Sequence, residues 1–175
     1  MEKPIRSGFR IRIRAPRENL FPLLCPVREE EWIDGWTPAV YRVLKSQSGF
    51  VEMDSEFVEN SLMKFLFGKP GLTRWVTSRY EPERFTQDFT LHLSDRAVLH
   101  RAVRLEELPD GGTLISWGDS LSFHRDAPGS LGRAILRGKL RLFSFYLGSI
   151  LKYYGEHNRM FRMGPLRTFL FRPLE

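Results

Sequence analysis

LGRAILRGKLRLFSFYLGSILKYYGEHNRMFRM, residues 131–163, is the stretch whose reading decides the fold. Leu131, Ile135, Gly138, Leu142, Phe145 or Tyr146, Ser149, Ile150, Tyr153, His157 and Met160 recur at spacings of three and four. That is the period of an α-helix with one apolar stripe. Arg133, Arg137 and Arg141 fall on a different stripe. The spacing predicts one amphipathic helix of roughly thirty residues, about 45 Å long. Gly155 is a point where it can bend, and Gly164-Pro165 is its expected end. The apolar stripe is expected to lie against the rest of the protein.

Upstream of Asp126-Ala127-Pro128-Gly129 the period is two. Phe9, Ile11 and Ile13 alternate with Arg10, Arg12 and Arg14, a half-buried first strand that Pro16 stops. Two short helices follow, Pro16 to Leu24 and Pro26 to Ile33. Six strands then fit between turn signals: Val40 to Lys45, Phe50 to Val58, Thr73 to Tyr80, Arg84 to Leu93, Val98 to Glu106 and Thr113 to Phe123. Strands joined by such short turns pair antiparallel as a meander. Glu59 to Leu72 interrupts them with Leu62, Met63, Phe65, Leu66 and Phe67, too apolar for a surface loop and read as a short helix over the mouth of a cavity. The class is α+β: a seven-stranded curved antiparallel sheet that must cover its apolar face with the one long helix. A curved sheet gripping one helix is expected to leave an apolar hollow between them.

The chain has 175 residues, 42% hydrophobic and 27% charged, enough for a single core. We expect one domain over residues 1–163 and a basic, apolar tail over 164–175. One cysteine, Cys25, excludes an internal disulfide and a cysteine-built zinc site, and fits a reducing compartment. The first twenty residues alternate charge with apolar side chains, so neither a secretory signal nor a spanning segment is expected, and the cytoplasm is the expected location. From Arg125 to Glu175 there are ten Lys/Arg against three Asp/Glu, a local +7. A polyanionic partner would be met there, and an anionic membrane surface fits better than nucleic acid, because the aromatics lie on the stripe expected to be buried. Arg133, Arg137, Lys139, Arg141, the tail from Phe169 to Arg172 and the cluster from Leu62 to Phe67 are the groups such a surface would use; the basic stripe reads equally as a solvated helix face, and a docking subunit would use the same apolar groups. The sequence carries no marker of oligomeric state.

The element order and the run FPLLCPVREEEWIDGW, Phe21 to Trp36, resemble the helix-grip (START-like, SRPBCC) superfamily, and within it the bacterial polyketide cyclase and dehydrase-like group. Trp75-Val76-Thr77-Ser78-Arg79-Tyr80 before a turn adds to the likeness, which runs from about Gly8 to His157. The insert between Glu59 and Leu72 and the basic tail depart from it. The resemblance implies a cavity that binds or transports hydrophobic molecules, with a minority of members acting as cyclases, aromatases or hydrolases. No common catalytic motif comes with it.

Candidate site residues follow from the same patterns. Trp32 and Trp36, flanked by Glu29, Glu30, Glu31 and Asp34, read either as a pocket rim with an acidic edge or as wedges packing the short helices onto the sheet. Trp75, Trp117, Tyr146 and Ile150 are expected as cavity wall. Tyr153, His157, Asp119 and Arg79 are expected to orient a ligand. Asp119 sits between Trp117 and Leu121 on the bulky face of the last strand, where burial would raise its pKa and Arg79 or Arg101 would lower it again. As an acid or base, Asp119 or His157 would serve a cyclase or dehydratase; as an ion pair, Asp119 would be structural. Cys25 has no cationic neighbour to activate it. His92, His100, His124 and His157 come from four elements without metal-ligand spacing, so no metal is expected, and no phosphate loop, GxSxG or catalytic triad spacing points to a cofactor or a hydrolase. The leading expectation is a non-catalytic protein that binds a hydrophobic small molecule or lipid.

Overall fold

The computed structural model describes residues 3–69, 71–164 and 174; most of the expected tail lies outside them. Seven strands form one antiparallel sheet in the order β1-β7-β6-β5-β4-β3-β2: β1 Ile5–Ile13, β2 Tyr41–Lys45, β3 Glu56–Glu59, β4 Thr73–Glu81, β5 Thr86–Leu93, β6 Ala97–Glu107 and β7 Thr113–Phe123. β2 to β7 are the expected meander. The first strand lies beside the last, with Phe9 opposite Trp117 and Ile13 opposite Thr113. The second predicted strand shrinks to β3, because Val51 to Ser55 leave the ladder in a turn with Asp54 at φ 61°.

Alternation sets the faces. Ile115, Trp117, Asp119 and Leu121 of β7, Leu99, Arg101 and Val103 of β6, and Gln87, Phe89 and Leu91 of β5 are buried. His100 and Arg104 of β6, Gly118 of β7 and Arg10 of β1 sit on exposed positions. Register slips between Thr77 and Arg79 and between Val43 and Lys45 mark bulges in β4 and β2, which bend strands and increase local twist.

The two short helices are tighter than expected. α1 covers Arg17–Leu20, and two 3-10 turns follow at Phe21–Leu24 and Arg28–Glu31. Trp32 donates its indole N–H to the Leu23 carbonyl at 2.8 Å and Trp36 to the Pro26 carbonyl at 2.7 Å. Both indoles are buried, so they act as wedges. Asp34, expected at an acidic edge, is also buried and accepts the Met163 backbone N–H at 3.0 Å, which fastens the segment after the long helix.

α2, Ser61–Phe67, is the apolar insert. Leu62, Met63 and Leu66 are core residues, and Phe65 packs on Phe143, so most of the cluster expected to be free for a membrane is committed to the interior. The Glu59 carboxylate accepts the backbone N–H groups of Ser61 and Leu62, placing a negative charge at the positive end of this short helix.

α3, Ser130–His157, is the long helix, 28 residues running through Gly155. It ends at Asn158 in the left-handed conformation, whose N–H bonds to the Tyr154 carbonyl at 2.7 Å, before the expected Gly164-Pro165 stop. Its buried residues are Leu136, Leu140, Phe143, Ser144, Gly148, Ile150 and Leu151. Of the predicted stripe only Ile150 is among them; Leu131, Ile135, Leu142, Phe145 and Tyr153 are exposed. The helix carries two apolar stripes, and the sheet takes the one with small residues. At Gly148 a Cβ would lie 2.6 Å from Phe9 Cε1 and 3.2 Å from Trp117 Cζ3, so close approach requires glycine there.

No helix of the described residues is long and apolar enough to cross a membrane.

Candidate functional site

Two neighbouring spaces lie near the short helices. One is a hole of about 20 Å³ lined by Leu24, Glu29, Trp32, Trp75, Gln87, Phe89, Arg101, Val103, Trp117 and Leu147. It has room for about one water molecule. The expected hollow between sheet and helix is thus almost filled there, because Trp75, Phe89 and Trp117 of the sheet meet Trp32 of the short-helix segment and Leu147 of the long helix. The other space is an open cleft of about 350 Å³, lined by Phe21, Pro22, Cys25, Arg28, Glu31, Phe50, Val51, Tyr80 and Gln87. Gln87 lines both spaces, and its amide donates to the Leu24 carbonyl at 3.2 Å.

The interior holds an unusual density of charge. Arg101 and Asp119 face each other across β6 and β7 in a two-pronged ion pair, Nε to Oδ1 at 2.8 Å and Nη2 to Oδ2 at 3.1 Å. Ser144 of α3 donates to Asp119 Oδ2 at 3.1 Å, so the carboxylate is held from sheet and helix together. Burial works against the Arg101 charge, but Asp119, with help from Glu29 and Glu59, outweighs it and raises the pKa. Glu29 lines the small hole. Burial pushes its carboxyl well above the ordinary carboxylate range; Glu59 pushes the same way and Arg101 opposes. Glu29 therefore keeps its proton to a higher pH than a free carboxyl. In the cleft, burial raises the Cys25 thiol, leaving it a poor nucleophile, and its sulfur accepts the Val51 N–H at 3.3 Å.

The predicted residues separate into three groups. Trp32, Trp75 and Trp117 line the small hole, and Asp119 joins its Arg101 wall. Trp36, Tyr146 and Ile150 belong to the core beside it: Trp36 stacks on Tyr41 with ring centroids 5.6 Å apart, and the Tyr146 hydroxyl meets Met163 Sδ at 2.8 Å. Arg79, Tyr153 and His157 are elsewhere. Arg79 pairs with Glu81 at 2.9 Å because the β4 bulge carries it off the inward row. His157, in the last turn of α3, is exposed and its ring lies 4.8 Å from that of Tyr153. Both sit on the stripe that points away from the sheet, so the expectation that they orient a ligand inside the hollow is corrected.

Sequence reading passed over Glu29 as a site residue, Gln87, and Arg101 except as a partner. A signal was present for two of them: Arg101 interrupts the inward row Ala97, Leu99, Val103, Leu105, and Gln87 opens the row Phe89, Leu91, Leu93. A polar residue at an apolar phase of a strand marks a buried polar group.

The superposition of these elements on solved structures decides the fold's name. The Zhui aromatase/cyclase from Streptomyces sp. R1128 matches with a TM-score of 0.65 at 9% identity, over 86% of this chain and 92% of that one. A START superfamily protein from Mycobacterium smegmatis matches at 0.64 and 12% identity, over 88% and 99%. The chain has the START-like helix-grip fold. Ara h 8.0201 shares it at a TM-score of 0.61 and 14% identity, over 85% and 95% of the two chains. No protein-family model and no curated protein matches the chain in sequence. In this helix-grip chain the grip is tight where the tryptophans meet: the hole there has room for about one water, and an open cleft lies beside the short helices.

Proposed function

We propose that the chain binds a small hydrophobic molecule, with its apolar body in the cleft between the short helices and β4 and its polar end directed at Gln87. The observation that carries this reading is the cleft itself. Its volume falls in the range of small-molecule sites, its walls are largely apolar, and the few polar groups, Arg28, Glu31 and Gln87, are the kind that fix orientation. Transfer of the ligand from water supplies most of the affinity, at about 25 cal/mol per Å² of apolar area. Phe50, half-exposed at the wall, closes over the bound molecule.

Native mass spectrometry of the chain purified from its own host tests this. The expected result is one retained apolar small molecule per chain, lost in Phe50→Asp while the melting temperature stays unchanged. A wild-type chain that is empty even after exposure to a lipid extract of that host overturns it.

A second reading, acid chemistry of the cyclase or dehydratase type, draws support from Glu29 and not from Asp119 or His157. Asp119 is engaged by Arg101 and Ser144, and His157 is outside. Glu29 combines a raised pKa with a place on the wall of the hole, which adjoins the cleft at Gln87 and has room for about one water, so on this reading it acts on a cleft-bound ligand through a water there. On that reading Glu29→Gln abolishes turnover of an identified ligand while leaving its retention intact.

A further inference from the structure

The stripe of α3 turned away from the sheet has a composition that the ligand reading leaves unused. Leu131 is 75% exposed, Leu142 59%, Phe145 54% and Ile135 52%. Spaced by four, seven and three, they fall on one line down the helix, about 21 Å long from Leu131 to Phe145. Phe145 is held upright by an edge-on contact with Phe9, ring centroids 5.7 Å apart. Isolated exposed apolar residues are ordinary, whereas apolar residues exposed together in one patch mark interaction sites.

The charges beside the row share one sign. α3 carries Arg133, Arg137, Lys139, Arg141 and Lys152, against one carboxylate, Glu156, in its last turn. Arg141 flanks the row on the β1 side; Lys139 flanks it on the α2 side, where its ammonium donates to the Leu66 carbonyl at 2.9 Å. Between α3 and β1 runs an open groove of about 560 Å³, walled by Phe9, Leu142 and Phe145 and lined also by Arg10 and Arg141.

We propose that this face docks the protein on an anionic lipid bilayer, its four large apolar side chains entering the acyl boundary while Arg10 and Arg141 hold a lipid phosphate in the groove. Charge complementarity selects this occupant. A second copy on the same row would bring the basic flanks of two helices together, and Glu156, the one carboxylate of α3, is already engaged by the Arg14 N–H and by Lys152. A purely polar polyanion would leave the apolar row in water. An anionic bilayer satisfies both halves of the surface. The inference does not rest on the ligand reading: an empty cleft in native mass spectrometry leaves it standing.

Flotation of the full chain with two vesicle preparations tests it, one of phosphatidylcholine alone and one of phosphatidylcholine and phosphatidylglycerol in equal parts. The chain should float with the anionic vesicles and not with the neutral ones, less so as salt rises. The pair Leu142→Glu and Phe145→Glu should lower vesicle affinity at least about tenfold, and the pair Arg10→Glu and Arg141→Glu by a similar factor. All four positions are exposed, and unchanged melting temperatures verify that the variants fold. Arg141→Glu alone should also weaken binding, whereas Arg42→Glu, on β2 at the opposite edge of the sheet, makes the same charge change as that single variant and should leave binding nearly as it was. Failure of the wild type to float with anionic vesicles, equal flotation with neutral ones, or a loss on Arg42→Glu as large as on Arg141→Glu overturns the proposal. So does a dimer in sedimentation velocity that the Leu142→Glu and Phe145→Glu pair dissociates, which would assign the row to a second copy.

Discussion

Leu140 and Leu142 are two residues apart on α3, and one is fully buried while the other is 59% exposed. The same contrast holds along the whole helix. Its inner side presents Leu136, Leu140, Phe143, Ser144, Gly148 and Leu151 to the sheet, and its outer side presents Leu131, Ile135, Leu142 and Phe145 to solvent. Hydrophobicity does not separate the two sides. What separates them is fit: the inner side has Gly148 where Phe9 and Trp117 press closest and Ser144 where Asp119 needs a donor. The sheet selects the side that can come near and complete its polar group.

Three measurements of chemical denaturation midpoints break or sharpen this contrast. The largest effect is expected for Arg101→Met, which leaves Asp119 buried without its cation and should cost about 3–5 kcal/mol; a loss under about 1 kcal/mol would mean that the pair contributes little to the grip. Next, Leu140→Ala should cost about 2–5 kcal/mol through lost burial and a cavity, whereas Leu142→Ala should stay within about 0.5 kcal/mol of wild type. Equal losses at the two leucines would show that the outer side is covered in solution. The smallest effect separates two glycines. Gly148→Ala forces a methyl against the Phe9 ring and should destabilise by at least about 1 kcal/mol, while Gly138→Ala, with nothing within 4 Å of its new Cβ, should stabilise by about 0.5–1 kcal/mol through helix propensity. A gain at both would mean that the inner side is loosely packed.

Much of the candidate site was readable and part was not, for a definite reason. Trp75, Trp117 and Asp119 face inward, as strand alternation lets the sequence assign once one neighbour is known to be buried. Tyr153 and His157 were misassigned because a helix with two apolar stripes has the same spacing on both, and spacing carries no information about which stripe meets the sheet. In the sequence Glu29 is only one of a run of three acids; its place on the wall of the hole depends on Trp32 anchoring the 3-10 turn to Leu23, a contact that no local pattern encodes.

The amino-acid order by itself determined the elements: period two until Phe123, period 3.6 after Gly129, and turns short enough to make β2 to β7 an antiparallel meander. These follow from backbone geometry, which neighbouring residues fix among themselves. Only the tertiary structure decided that β1 closes on β7, that Arg101 is the partner of Asp119, that three tryptophans leave a hole of about 20 Å³ where a hollow was expected, and which side of α3 stays bare. Each of those is a choice among distant partners, settled by which packing brings shape and charge together at once, and one chain position cannot announce it alone.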